Sequence, residues 1–164
     1  MIERTAEGLY CRAADAWVDP WRPVPRALIT HAHADHARAG CGEYWAVDVS
    51  EGVLRQRLGQ EICLHPVRYG EPIWLGQCRV SFHSAGHVLG SAQIRLESEG
   101  EVWVVSGDYK RDDDPSCAPF EPVACDVLIT EATFGMPIYR WKPGSELAAE
   151  IRDWWQGDRS RPSL

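Results

Sequence analysis

With 164 residues, 45% of them hydrophobic and 25% charged, the chain has the balance of one folded domain rather than of a disordered or fibrous protein. A net charge of −7 argues against a basic module that holds nucleic acid by charge alone, and the excess is local: residues 101–150 carry ten acidic against four basic side chains. No apolar run reaches the roughly 18 residues of a membrane-spanning helix, and Met1-Ile2-Glu3-Arg4 lacks the apolar stretch of a signal peptide, so a cytoplasmic protein without membrane partners is expected.

Along the chain, Gly8–Arg12 and Ala16–Asp19 read as a first hairpin, and Arg26–Thr30 as a buried strand running into a His-rich loop. Ser50 suits the N-cap of a helix over Glu51–Leu58, with Leu54 and Leu58 on one face and Gly59 as its stop. Two hairpins follow, Pro72–Leu75 with Arg79–His83 and Ala92–Glu97 with Val102–Ser106, turned at Gly76-Gln77 and Glu99-Gly100. Asp126–Thr130 is a further strand. Ser145 then caps a helix whose Leu147, Ile151 and Trp155 recur at helical spacing before Gly157. Strands in hairpins with flanking helices predict an α+β layered fold. Cys11, Cys41, Cys63, Cys78, Cys117 and Cys125 form no Cys-x-x-Cys pair, which points to reduced thiols rather than a zinc ribbon or a disulfide framework.

The chemistry is concentrated in Thr30-His31-Ala32-His33-Ala34-Asp35-His36, an H-x-H-x-D-H pattern directly after a strand. Residues two apart in extended chain point the same way, so His31 and His33 can grip one ion, while a turn after them lets Asp35 and His36 reach a second beside it. Imidazole and carboxylate ligands suit zinc, with manganese or iron as alternatives. One loop does not fill a dinuclear site. His87 in Gly86-His87-Val88-Leu89-Gly90-Ser91 and Asp108 in Ser106-Gly107-Asp108-Tyr109-Lys110 are the best additional ligands, each at a strand end beside glycine. By contrast His65, before Pro66, and His83, on the outer parity of its strand, read as non-functional. Lys110 and Arg111 are the best basic residues for steering phosphate, and Trp154 and Trp155 read as packing residues of the last helix.

These motifs resemble the metallo-β-lactamase superfamily, and Gly86–Ala92, Ser106–Arg111 and Leu128–Gly135 resemble its β-CASP nuclease branch, most of all the bacterial ligase-associated DNA exonucleases, often labelled as RNA 3′-end processing factors. The resemblance implies an αββα sandwich of which this chain is the N-terminal half, one domain cut before the β-CASP insertion. It implies two divalent ions, most simply Zn2+ with Mn2+ as alternative: His31, His33 and His87 on one, Asp35 and His36 on the other, Asp108 bridging. A metal-bridged hydroxide would hydrolyse phosphodiesters at DNA ends during repair, alongside an ATP-dependent ligase and a helicase, with RNA as the alternative substrate. Asp35 would orient the hydroxide, and Glu131 would hold a histidine in one tautomer. The chain has no histidine after His87, so the further ligand and leaving-group histidine of the branch are missing. A glyoxalase- or lactonase-type hydrolase and an inactive fragment are the competing readings. Half a sandwich would also leave one sheet face uncovered, which predicts self-association of the chain.

Overall fold

The computed structural model describes residues 1–157. By internal contacts the chain divides into two units, Met1–Glu131 and a second that begins at Ala132. The first unit is α+β, with two sheets and little helix. Sheet one runs β1 (Ile2–Thr5), β2 (Gly8–Cys11), β3 (Ala16–Val18), β4 (Arg26–Leu28), β5 (Glu43–Val47) and β6 (Leu64–Val67), in that order across the sheet. Sheet two orders its strands β11-β10-β9-β8-β7, where β7 is Ile73–Leu75, β8 Cys78–Ser84, β9 Ala92–Ser98, β10 Glu101–Val105 and β11 Val127–Ile129.

Strands β1 to β3 form an antiparallel meander, whereas β3 to β6 are mutually parallel. The parallel part is buried on both sides. Leu28, Trp45 and Val47 face inward, while Ala27, Ile29, Tyr44 and Ala46 form a second cluster under Leu54 of α1 (Glu51–Leu58), with Leu58 packed against it. Ser50 does not cap α1 as expected: it lies in a 3-10 turn over Asp48–Ser50, and its hydroxyl donates to the Val47 carbonyl at 2.6 Å instead of accepting from the helix. The hairpins β7–β8 and β9–β10 match the predicted turns.

Inner-facing Cys11, Val18, Leu28, Trp45, Val47 and Val67 of sheet one share a single buried cluster with Cys78, Val80, Phe82, Ile94, Leu96 and Val105 of sheet two. The two sheets therefore cover each other, which corrects the expectation of an uncovered inner face and removes the reason given for self-association. Sheet one is wider than the sequence suggested because β1, β5 and β6 belong to it. In β6, Pro66 sits on the edge strand, where its missing N–H costs no ladder bond. All six cysteines are free thiols.

In the second unit, α2 (Gly144–Gly157) starts one residue before the predicted cap, with Leu147, Ile151, Trp154 and Trp155 all exposed. Phe134 meets Tyr139 and Trp141 edge-on, each with ring centroids 5.2 Å apart. Among the described residues no helix is long and apolar enough to cross a membrane.

Candidate metal centre

The parallel strands bring chemistry to one edge. Strands β3 and β4 end side by side, so Asp19, just past β3, lies beside Thr30, just past β4, at the start of the His-rich loop. On sheet two, β8 ends ahead of the turn that carries His87, and β10 ends three residues before Asp108. The two edges are joined at Thr30, whose carbonyl accepts the Ala92 N–H at 2.8 Å. Gly107 is forced by the same junction: its φ is +56°, and a Cβ there would come within 2.6–2.9 Å of the Thr30 side chain.

His31, His33, His87 and Asp108 each offer one ligand atom, and these atoms lie within 4.8 Å of one another. His31 Nε2 is 3.0 Å from His33 Nδ1, which is 3.4 Å from His87 Nε2. Asp108 Oδ2 is 3.8 Å from both His31 Nε2 and His87 Nε2. Ligands held ~2.0–2.1 Å from a tetrahedral ion sit about 3.4 Å apart, the middle of this range. The other carboxylate oxygen of Asp108, Oδ1, is 3.4 Å from His36 Nε2, and Asp35 Oδ2 is 3.7 Å from the same nitrogen. Asp108 thus faces both groups of donors, the disposition a bridging carboxylate requires.

Hydrogen bonds behind the rings fix which nitrogens are free. The Thr30 hydroxyl donates to Asp19 Oδ2 at 2.5 Å, so Thr30 Oγ1 accepts from His31 Nδ1 at 3.1 Å, leaving the His31 Nε2 lone pair for the cluster. His36 Nδ1 donates to Asp19 Oδ2 at 2.8 Å, with the same consequence for its Nε2. Burial, reinforced by the neighbouring imidazoles of His36, His33 and His87, pushes His31 down to about 2, which keeps it neutral. Burial also lowers His87, against the opposing pull of Asp108. Burial pushes His36 down too, yet the hydrogen bond and charge of Asp19, with Asp108 and Asp35, leave it raised. With His31 and His87 kept neutral by burial and Asp108 alongside, the group offers the donor set a cation would take.

Asp19 went unread in the sequence, although its carboxylate holds His36 at Nδ1. Its signal was a carboxylate closing a buried strand just before Pro20, in the left-handed region at φ 42°. Glu131 accepts the Tyr109 N–H at 3.3 Å, and its charge is felt at His87. Lys110 is paired with Asp114 at 3.0 Å. His65 lies in β6 rather than a loop, stacked on Trp45 at 4.5 Å, and His83 is half-buried between Ser81 and Glu121, at 3.0 and 2.9 Å. A cavity of about 500 Å3 opens beside His36 and Asp108, with Trp21 and Arg38 in its walls.

A strand-edge cluster of three imidazoles and one shared carboxylate is a donor set that could hold a metal ion. No family model matches the chain. It is 32% identical over 148 residues to a probable DNA ligase of Opitutus terrae, a match covering 89% of this chain and 14% of that protein. It is 34% identical over 144 residues to a ribonuclease of Thermus thermophilus, covering 71% and 33%, and 27% identical over 152 residues to an endoribonuclease of Mycosarcoma maydis, covering 70% and 17%. The chain therefore spans a third or less of the length of these relatives. Its homologues are nucleases of the β-CASP branch of the metallo-β-lactamase superfamily, a metal-dependent family.

Proposed function

We propose that the chain is the metal-binding part of a nuclease that hydrolyses phosphodiester bonds at DNA ends, and that its two sheets belong to an αββα sandwich completed elsewhere in the longer protein. The convergence of His31, His33, His87 and Asp108 within 4.8 Å carries the reading. In it, these residues hold one divalent ion and Asp35, His36 and Asp108 contribute to a second, zinc at both with manganese as the alternative. When bound, the ions supply Lewis acidity and an activated water. Asp108 spans the two groups of donors. Asp35, exposed on the His36 side, orients the attacking water, and Asp19 keeps His36 Nε2 free by holding the proton on Nδ1. The cavity beside His36 and Asp108 leaves room for the scissile phosphate. The match to a probable DNA ligase supports a DNA substrate and a ligase as working partner, a helicase being proposed from the family resemblance alone, and the free thiols suit the cytoplasm.

RNA as substrate is a second reading, favoured by the relatives named as ribonucleases. The test is degradation of end-labelled linear DNA and of RNA by the longer, metal-loaded protein. Activity that Asp108→Asn and His33→Ala abolish is expected. Hydrolysis of a thiolester or lactone with neither nucleic acid cleaved would overturn the proposal.

A further inference from the structure

His31 and His36 are each held by a hydrogen bond at Nδ1, whereas the short contacts of the His87 ring, with His33 and Asp108, lie inside the cluster and Glu131 acts on it through its charge. The position of its Nε2 must therefore come from its backbone. That backbone is organised around one residue. The Ser91 hydroxyl accepts the N–H groups of His87 and Val88 at 3.0 and 3.2 Å, and the Ser91 N–H donates to the Val88 carbonyl at 2.9 Å. On its far side, the Ser91 carbonyl accepts from Ala85 N–H at 3.1 Å and from the Tyr69 hydroxyl at 2.9 Å.

From this geometry we infer that Tyr69 is a positioning residue: acting through Ser91, it sets where His87 Nε2 stands and so tunes the metal affinity of the three-histidine cluster. The inference rests on the reading of His87 as a ligand. Tyr69 reaches Ser91 from the segment between β6 and β7, and its ring is packed against the shared core. That segment is anchored in turn, since Gly70 N–H donates to the Phe82 carbonyl of β8 at 2.8 Å. The turn has no slack on its other side. Gly90, at φ +75°, is pressed so closely to Ser50 that a Cβ would lie 2.5–2.9 Å from its atoms. The Tyr69 hydroxyl adds a side-chain tie to the Ser91 carbonyl from the opposite segment.

The test measures zinc dissociation constants by competition with a chromogenic chelator for the wild type, Tyr69→Phe, His87→Ala and the double variant. Loss of a partner behind a ligand typically costs 10–100-fold in metal affinity, and Tyr69→Phe is expected to cost on the order of 10-fold. In the His87→Ala background it should cost nothing further, because the turn then positions no ligand. Cobalt substituted for zinc should show an altered visible spectrum in Tyr69→Phe. Unchanged zinc affinity in Tyr69→Phe, or an equal loss in both backgrounds, would overturn the inference. Unchanged affinity in His87→Ala would instead overturn the ligand assignment, and the inference with it. Should Tyr69→Phe fail to fold, Ser91→Ala against Ser91→Thr tests the link through which Tyr69 acts: the alanine should weaken zinc and the hydroxyl of threonine restore it, and equal affinity in the two would overturn the inference.

Discussion

Replacing Asp19 with asparagine changes one heavy atom and reverses two hydrogen bonds, those from the Thr30 hydroxyl and from His36 Nδ1. In the native arrangement Asp19 Oδ1 accepts the Thr30 N–H at 2.8 Å, and Oδ2 accepts both the Thr30 hydroxyl at 2.5 Å and His36 Nδ1 at 2.8 Å. An asparagine that keeps its oxygen on Thr30 N–H presents an NH2 group to the other two. His36 must then accept at Nδ1, which moves its proton to Nε2, the nitrogen that faces Asp108 and Asp35. A hydrogen bond to a charged group contributes about 1.5–3 kcal/mol, and each ~1.4 kcal/mol is tenfold in binding, so the loss at the His36 side should be roughly 10–100-fold. His31 Nε2 should be affected less, because its own Nδ1 still meets Thr30. Calorimetric titration of metal-free protein with zinc resolves this: the weaker event should shift and the tighter one stay nearly fixed. Two events of unchanged affinity in Asp19→Asn would refute the tautomer argument. A shift only in the tighter event would show that the two groups of donors have been assigned the wrong way round.

Elemental analysis after gentle dialysis should give nearer one metal than two per chain, since His31, His33, His87 and Asp108 supply four ligands while the His36 side has fewer; two firmly held ions would contradict this. Gly107→Ala should lower stability by about 2–4 kcal/mol, combining the left-handed backbone with the collision against Thr30, and a melting temperature within a degree of wild type would count against the described junction. Tyr44 and Tyr69 are each raised by burial to about 12, above their unfolded value near 10. Their stabilisation is complete below pH ~10 and is lost as pH rises towards 12. Tyrosinate absorbance should therefore show two groups ionising only as the fold is lost, and reversible titration of both near pH 10 would exclude their burial.

What could be read in advance divides along physical lines. His31, His33, Asp35 and His36 were legible because ligand chemistry and spacing lie in one short loop. Asp19 was not, because its nearness to His36 comes from the parallel pairing of β3 with β4, a contact across 17 residues of chain. The hairpins β7–β8 and β9–β10 announced themselves through their glycine turns. Strands β5 and β6 did not, since a strand buried on both sides loses its alternation and Pro66 reads as a breaker unless the strand is known to lie at an edge. The expectation of self-association came from the resemblance, which implies half a sandwich, and the core shared by the two sheets corrects it.

The cluster lies on the seam between the sheets, with His31, His33 and His36 carried by one and His87 and Asp108 by the other. Neither sheet alone assembles the site, so affinity for a cation is also affinity for the docked arrangement of the two. At a free metal concentration a thousandfold above its dissociation constant, that linkage contributes about 4 kcal/mol to keeping the sheets together. A chelator should then act on this protein as a mild denaturant aimed at one place, loosening the seam at Thr30 and Gly107 before the far ends of the strands, and the strength with which the two layers adhere becomes a property set by the metal supply of the cell.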